Sequence, residues 1–430
     1  MRRALPLIVL ALLVASCTDE ASVTTTTDTT ATPPSTEATT TTTTVVQPPP
    51  GIEELPAELQ VELEALIAVT EEVRGLEFLE PPKINVVSPD ELARLVREDI
   101  AENTEGIDVD QALYELLGLI DEGTQLLDLY TDVLGEQVAG FYDSETKEMV
   151  VPLRSDEFGA LERSTIVHEL VHALTDQHFD FGTYYQMLID EERFDEVTAY
   201  QAVIEGDAVL TELTYLRDLP VEQQREVIEQ SLEIDSSALT SAPRFLQESL
   251  IFPYVQGQVF MDRLFRLEGQ AGIDAAYGAP PVSSEQIITP EDFRRDEPVE
   301  VAAPLVEIPG YAVEYESVWG ELSFELMFNQ VLGSRSEAAE GWGGDRYVVL
   351  SDGVEVAMVL SYTGDAEVDA AELEAALIEY LAVIIQAEPD GQTFVGEDYG
   401  HVARDGSSLT FVVASDPAVG ASIVEALTAS

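Results

Sequence analysis

Residues Thr165 to Phe179 read T-I-V-H-E-L-V-H-A-L-T-D-Q-H-F, and this stretch decides the expected fold and site. It contains an H-E-x-x-H motif at His168, Glu169 and His172. Because residues four apart lie above one another on a helix, the two imidazoles can bind one zinc ion from the same face. Glu169 then lies beside the open coordination position, where it can act as general base toward a zinc-bound water. The sequence therefore predicts a zinc-binding helix with a catalytic carboxylate.

Two residues compete as the third zinc ligand. His178 completes H-E-x-x-H-x-x-x-x-x-H, a spacing that resembles metzincins. Those proteases place glycine where Thr175 stands, and a β-branched residue resists the positive φ of a sharp turn. Glu205 lies on a second predicted helix within A-V-I-E-G-D-A (Ala202 to Ala208), where small neighbours permit close helix packing. We expect Glu205 to be the third ligand, with His178 as the alternative.

The combination of HExxH with E-G-D-A resembles gluzincins, the thermolysin-like and peptidase MA-type metallopeptidases. The stretches A-G-F-Y-D, E-G-D-A and F-P-Y-V-Q-G-Q-V-F also resemble a run in uncharacterised bacterial lipoproteins described as zinc metallopeptidases, over about Gln137 to Phe293. The resemblance implies Zn²⁺ as cofactor, a zincin-like fold and peptide-bond hydrolysis. It does not identify a substrate.

Three further site residues are expected from the gluzincin pattern. Thermolysin-like proteins place an Asp four residues after the ligand Glu, and this chain has Val209 there. We expect Asp176 or Asp207 to orient a ligand histidine instead. Tyr254 is a candidate donor of a hydrogen bond to the oxyanion, and its alternative role is that of a core residue.

The composition excludes some classes of partner. The 430 residues include 83 acidic and 20 basic side chains, which gives a net charge of −63. A surface this negative repels phosphate backbones, so we expect no nucleic-acid partner. The apolar content of 45 % is ordinary for a folded protein, and the length allows two or three domains.

The N-terminus predicts export and a lipid anchor. Met1-Arg2-Arg3 precedes an apolar run, Ala4 to Val14, that is too short to span a bilayer. The run leads into V-A-S-C, which resembles the lipobox of bacterial lipoproteins and implies cleavage before Cys17 and lipidation of its thiol. Residues 18–50 are rich in Thr and Pro and should form a disordered tether. We expect a membrane-anchored protein on the extracytoplasmic face.

The predicted fold class is α+β. A mainly helical zincin-like domain with a small β-hairpin or sheet is expected over residues 51–296, followed by a smaller α+β domain over 297–430. In the first domain we expect helices at Glu54–Leu76, Val109–Leu134, Glu191–Arg217 and Phe252–Leu267, a strand at Lys83–Val87, a hairpin over Gln137–Pro152 and a loop at Tyr184 and Tyr185. The hairpin either offers its edge to an extended substrate or is plain scaffold.

The main functional hypothesis is a lipid-anchored, extracytoplasmic zinc metallopeptidase that acts on protein or peptide substrates. His168, His172 and Glu205 bind zinc, and Glu169 activates the attacking water. One alternative is a non-catalytic surface-binding or structural lipoprotein with a structural or vestigial zinc site. The other is a zinc hydrolase of a non-peptide cell-wall substrate. A structural site fills its fourth position with protein, whereas three good ligands are in view here, which favours an enzyme.

Overall fold

The computed structural model describes residues 55–155 and 157–429. The signal segment 1–17 with Cys17 and the tether 18–50 lie outside the described residues. Among the helices of the described part, none has the length and apolarity that crossing a membrane requires.

The N-terminal part is mainly helical. Its helices are α1 Ala57–Arg74, α2 Pro89–Glu102, α3 Ile107–Leu116, α4 Leu126–Gln137, α5 Ala160–Phe179, α6 Phe181–Asp190, α7 Phe194–Asp218, α8 Val221–Ser231, α9 Ser237–Ser241, α10 Arg244–Glu268, α11 Gln270–Gly278 and α12 Glu285–Ile288. The strands β1 Lys83–Val87, β2 Phe141–Asp143 and β3 Glu148–Pro152 form a small sheet in the order β1-β3-β2. Strand β1 is parallel to β3, and the hairpin partner β2 is antiparallel to it.

Helix α5 is the central helix of this part. Most of its side chains between Ala160 and Asp176 are buried. Its apolar residues join a core that also receives side chains from α1, α7 and α10. A buried polar group without a partner is unfavourable. Each polar side chain on a helix that is buried nearly all round therefore needs a hydrogen-bond partner or a bound ion.

The C-terminal part contains a six-stranded sheet in the order β4-β5-β6-β9-β8-β7, with antiparallel neighbours throughout. Its elements are β4 Ala312–Ser317, α13 Gly320–Val331, β5 Trp342–Ser351, β6 Val356–Gly364, α14 Glu367–Ile384, β7 Thr393–Val395, β8 Tyr399–Asp405, β9 Ser408–Ala414 and α15 Pro417–Ala429. Strand residues alternate between two cores: Tyr347 and Val349 face α13 and α14, whereas Val348 and Leu350 lie in the cluster with α15.

The core of the C-terminal part also contains residues from before position 297. Leu113, Leu117 and Val133, from the α3–α4 region, and Phe245 of α10 pack into the same cluster as the sheet residues. The core of the C-terminal part is therefore shared across the predicted boundary at 297, which stays a prediction.

The predicted α+β class is confirmed, and so are the strand at Lys83–Val87 and the hairpin. The single helix predicted over Val109–Leu134 is wrong, because the chain forms α3 and α4 with a turn between them. Gly118 and Gly123 in that turn have φ of 65° and 81°, a left-handed conformation that ends a helix.

Two other local predictions in the helical part need correction. The loop expected at Tyr184 and Tyr185 is helix α6. The helix expected to begin at Phe252 begins at Arg244 and continues through Pro253. In both cases the helix packs into a core, and tertiary packing overrides the local propensity that suggested a loop or a helix start.

Candidate metal centre

Helices α5 and α7 bring together the three residues predicted to bind a metal ion. The ligand atoms of His168, His172 and Glu205 all lie within 4.8 Å of one another. All three side chains are buried, with at most 1 % of each residue exposed. Within the described residues, this is the group of His, Cys, Asp or Glu side chains whose geometry can hold a metal ion.

The polar atoms of this group lack ordinary partners. Glu205 Oε2 lies 3.3 Å from His168 Nε2 and 3.7 Å from His172 Nε2. Neither approach has hydrogen-bond geometry, so in the described part of the chain these three atoms have no hydrogen-bond partner. Leaving a buried polar group unsatisfied costs about 1–3 kcal/mol. Converging, unpartnered nitrogen and oxygen atoms are what a bound metal ion would satisfy.

A close crossing of α7 and α10 positions Glu205. A Cβ atom on Gly206 would lie 2.2 Å from the carbonyl oxygen of Gly257, and one on Gly257 would lie 2.2 Å from that of Ala202. Only glycine fits at both positions. The crossing brings the Tyr254 hydroxyl to 3.2 Å from Glu205 Oε1, to which it donates a hydrogen bond. Tyr254 therefore contacts a ligand carboxylate directly.

A second carboxylate, Glu212, holds His168. Its Oε2 lies 3.2 Å from His168 Nδ1, while its Oε1 accepts a hydrogen bond from the Ser164 hydroxyl. A carboxylate at one imidazole nitrogen fixes the tautomer and ring orientation that present the other nitrogen to a metal. The sequence analysis missed Glu212. Its signal was the spacing, because a residue seven positions after Glu205 lies two turns further along the same face of α7.

Asp176 and Asp207, which were expected in that role, lie elsewhere. Asp176 accepts hydrogen bonds from the Tyr142 hydroxyl at 2.7 Å and from Lys147 Nζ at 2.6 Å. It thereby joins α5 to the hairpin. Asp207 accepts from Arg74 Nε at 2.8 Å and from the Tyr277 hydroxyl at 3.0 Å. The prediction that either carboxylate orients a ligand histidine is corrected in favour of Glu212.

The alternative third ligand His178 is not part of the metal group. Helix α5 runs on to Phe179 without the turn that a metzincin arrangement needs. The His178 ring nitrogen Nε2 lies instead 2.8 Å from the carbonyl oxygen of Glu77. The described geometry therefore places Glu205, and not His178, beside the two histidines.

Glu169 follows His168 on α5, and its carboxylate has no hydrogen-bond partner among the described residues. The side chain is fully buried. Gly140, just before β2, is a neighbour of Glu169, because an added Cβ would lie 3.4 Å from Glu169 Cγ. Burial raises the pKa of Glu169 well above its ordinary value. A carboxyl group with a raised pKa is suited to accept and return a proton near neutral pH.

The surroundings shift the pKa values of the two histidines in opposite directions. Burial lowers the pKa of His168, but Glu205 and Glu212 outweigh burial and raise it to about 10. Burial holds the pKa of His172 well below its ordinary value. Without a metal ion, His168 therefore favours the protonated form, whereas His172 favours the neutral form in which an imidazole binds a metal.

Comparison with known proteins bears on the C-terminal part of the chain. Residues 310–424 match a family described as a domain of unknown function (DUF8575). No curated protein and no solved structure matches the chain. The matched range begins just before β4 and ends within α15, so it covers the six-stranded sheet. The metal centre on α5 and α7 lies outside it.

Proposed function

We propose that this chain is a zinc metallopeptidase of the gluzincin type, anchored by a lipid on Cys17 at the extracytoplasmic face of the membrane. The observation that carries the proposal is Glu169, a buried carboxylate without a partner beside a three-ligand group. Two imidazoles and one carboxylate are a ligand set that suits zinc and leaves a coordination position open. When bound, zinc polarises the scissile carbonyl and lowers the pKa of the attacking water.

The residues of the chain then divide the work. Glu169 takes a proton from the attacking water and delivers it to the leaving amine nitrogen. Tyr254 donates its one hydroxyl proton to Glu205 in the described structure, and it turns this proton toward the oxyanion as that charge develops. Glu212 holds His168 in the orientation and tautomer that metal binding requires.

An extended peptide is the substrate that fits the surroundings. Within the described sheet, β2 pairs with β3 on one side, and its other side is a sheet edge. The strand follows Gly140, where an added Cβ would come within 3.4 Å of Glu169 Cγ. A peptide that adds to this edge would present its backbone carbonyl next to the proposed base. This favours peptide-bond hydrolysis over the cell-wall alternative.

The burial of the site favours one competing function. Each proposed ligand is at most 1 % exposed, as expected for a metal that stabilises a fold. A non-catalytic surface lipoprotein with a structural zinc ion would share this geometry. It would have no use for an unpartnered Glu169, because burying a carboxylate without a partner is costly.

The decisive variant is Glu169→Gln, which keeps the shape and removes the base. We expect zinc content to be unchanged and cleavage of unfolded casein to fall roughly 10²–10⁴-fold. Glu229→Gln, an exposed change on α8, is the matched control and should cleave like the wild type. Full activity in Glu169→Gln would refute the mechanism. Zinc bound by a wild type that cleaves neither casein nor short peptides would favour the structural alternative.

A further inference from the structure

Four buried carboxyl groups lie where the helical part meets the C-terminal part, and we call them the acid seam. Asp195 is in the first turn of α7, Glu285 begins α12, Glu321 is in the first turn of α13, and Asp345 is on β5. Their exposed fractions are 5 %, 7 %, 4 % and 2 %. Two of the four come from each side of the junction.

Direct contacts connect these elements across the junction. Asp195 Oδ2 accepts a hydrogen bond from the backbone nitrogen of Ser284 at 3.0 Å, just before Glu285. Asp195 also packs on Gly320, where an added Cβ would lie 2.1 Å from Asp195 Oδ1. Asp345 Oδ2 accepts from the backbone nitrogen of the same Gly320 at 3.0 Å. Asp195 and Asp345 therefore meet at Gly320, and their contacts lie directly beside Glu285 and Glu321 in the chain.

No cation neutralises the acid seam. Within the described residues, none of its four carboxylates forms an ion pair with Lys, Arg or His. Arg193, two positions before Asp195, pairs with Glu196. Arg346, which follows Asp345, pairs with Glu316. The other charged groups that face the seam are Glu196, Asp292, Asp296, Glu325, Glu340 and Asp365, with Arg346 facing Asp345. Almost all of these neighbours are themselves acidic.

Burial and the like-charged neighbours act together on the seam. They raise the pKa of Glu321 to about 9 and that of Glu285 to about 8. Burial also raises the pKa of Asp195 to about 7 and that of Asp345 to about 6, although hydrogen bonds from backbone nitrogens oppose the rise at these two. Among the described residues, no three seam carboxylates come close enough to share a metal ion. A proton is the positive charge that this geometry accommodates.

We propose that the acid seam is a proton-dependent clasp, which holds the C-terminal part against α7 and α12 while its carboxyl groups are neutral and loosens as they ionise. The direction follows from linkage: these acids bind protons more tightly in the folded chain than in the unfolded one. Their stabilising effect is complete below the ordinary carboxyl range near pH 4 and is lost as the pH rises toward about 9. The proposal does not depend on zinc or on catalysis.

Tryptophan fluorescence can report on the acid seam, because both tryptophans of the chain donate hydrogen bonds to Asp345. The indole nitrogen of Trp342 donates to Asp345 Oδ2 at 2.7 Å, and the backbone nitrogen of Trp319 donates to Oδ1 at 2.7 Å. Tryptophan emission of the whole protein, titrated from about pH 5 to about pH 9, should shift to longer wavelength as the seam admits water.

The test compares the wild type with Glu285→Gln/Glu321→Gln, whose amides imitate neutral carboxyls. Between about pH 5 and pH 9 the unfolding equilibrium constant of the wild type should rise, and the rise should be at least about tenfold smaller in the double variant. The emission shift should shrink with it. Glu372→Gln, an exposed change on α14, should behave like the wild type. If the double variant does not fold, Glu321→Gln alone is compared.

Two results would overturn the proposal. One is a wild-type emission or stability that does not change over this pH range, or changes equally in the wild type and the glutamine variant. The other is recovery of the wild-type emission at about pH 9 on adding calcium, with no such recovery in the variant, because the seam would then be a cation site.

Discussion

The two faces of α7 carry buried carboxylates two residues apart, and they are balanced in different ways. Asp207 has a resident cation, Arg74, whose Nε lies 2.8 Å away and whose Nη2 also pairs with Asp274 at 2.7 Å. Glu205 faces two imidazoles, one of which stays neutral. Asp207 is therefore paired with a guanidinium of the chain, whereas Glu205 faces imidazole nitrogens that together with its own oxygen could hold a metal ion. In the acid seam, by contrast, protons neutralise the buried carboxylates.

The largest effect on stability is expected on the face of α7 that carries Asp207. Arg74→Leu leaves the buried Asp207 without its cation and removes the partner of the half-exposed Asp274, which should lower the free energy of unfolding by about 3–5 kcal/mol. Zinc should still bind, because no ligand is touched. Chemical denaturation and zinc content measure the two effects. The control is Arg266→Ala, which removes an ion pair whose arginine is 72 % exposed and should cost about 0–1 kcal/mol. Unchanged stability in Arg74→Leu would remove the distinction between the two faces.

A second change affects the crossing of α7 and α10, which positions Glu205. Gly206→Ala places a methyl group 2.2 Å from the Gly257 carbonyl oxygen, so α10 must move away from α7. We expect a loss of stability near the upper end of about 1–3 kcal/mol, and weaker zinc binding as Tyr254 leaves Glu205. Gly278→Ala, where an added Cβ meets nothing within 4 Å, should be neutral. Equal behaviour of the two variants in thermal unfolding would contradict this account.

The smallest effect is expected at Glu212, which contacts His168 on the side away from Glu205. Glu212→Gln keeps the shape of the side chain and weakens its hold on His168. Zinc affinity should fall about 10–100-fold, or about 1.4–2.8 kcal/mol, with little change in the fold. Competition with a chelating dye measures the affinity, and Glu229→Gln serves as the exposed control. An unchanged affinity would mean that Glu212 does not orient the ligand.

The sequence was sufficient to predict that His168, His172 and Glu205 lie together, because that information is periodic and local. His168 and His172 are four apart on one helix, and Glu205 lies among the small residues that a close crossing requires. The glycine on the other helix, Gly257, lies 51 positions away from Gly206, and no local pattern pairs the two. Sequence predicted that α7 approaches another helix but not which one.

The errors have the same origin. Asp176 and Asp207 were expected behind the histidines because they are close to the ligands in sequence, but they lie on other faces of α5 and α7 and bond Tyr142 and Arg74. Which face a residue occupies follows from the helical period, and this consideration would have favoured Glu212. The acid seam could not be predicted at all, because its four carboxyls are brought together only by the packing of the two parts.

Zinc per chain, determined by elemental analysis on the purified protein, tests the central claim most directly. Wild type, Glu205→Ala and His178→Ala are dialysed together under identical conditions. The account predicts one zinc per chain in the wild type, its retention in His178→Ala, and its loss in Glu205→Ala. Loss in His178→Ala with retention in Glu205→Ala would contradict the assignment of the third ligand. No zinc in any sample after reconstitution would contradict the metal centre itself.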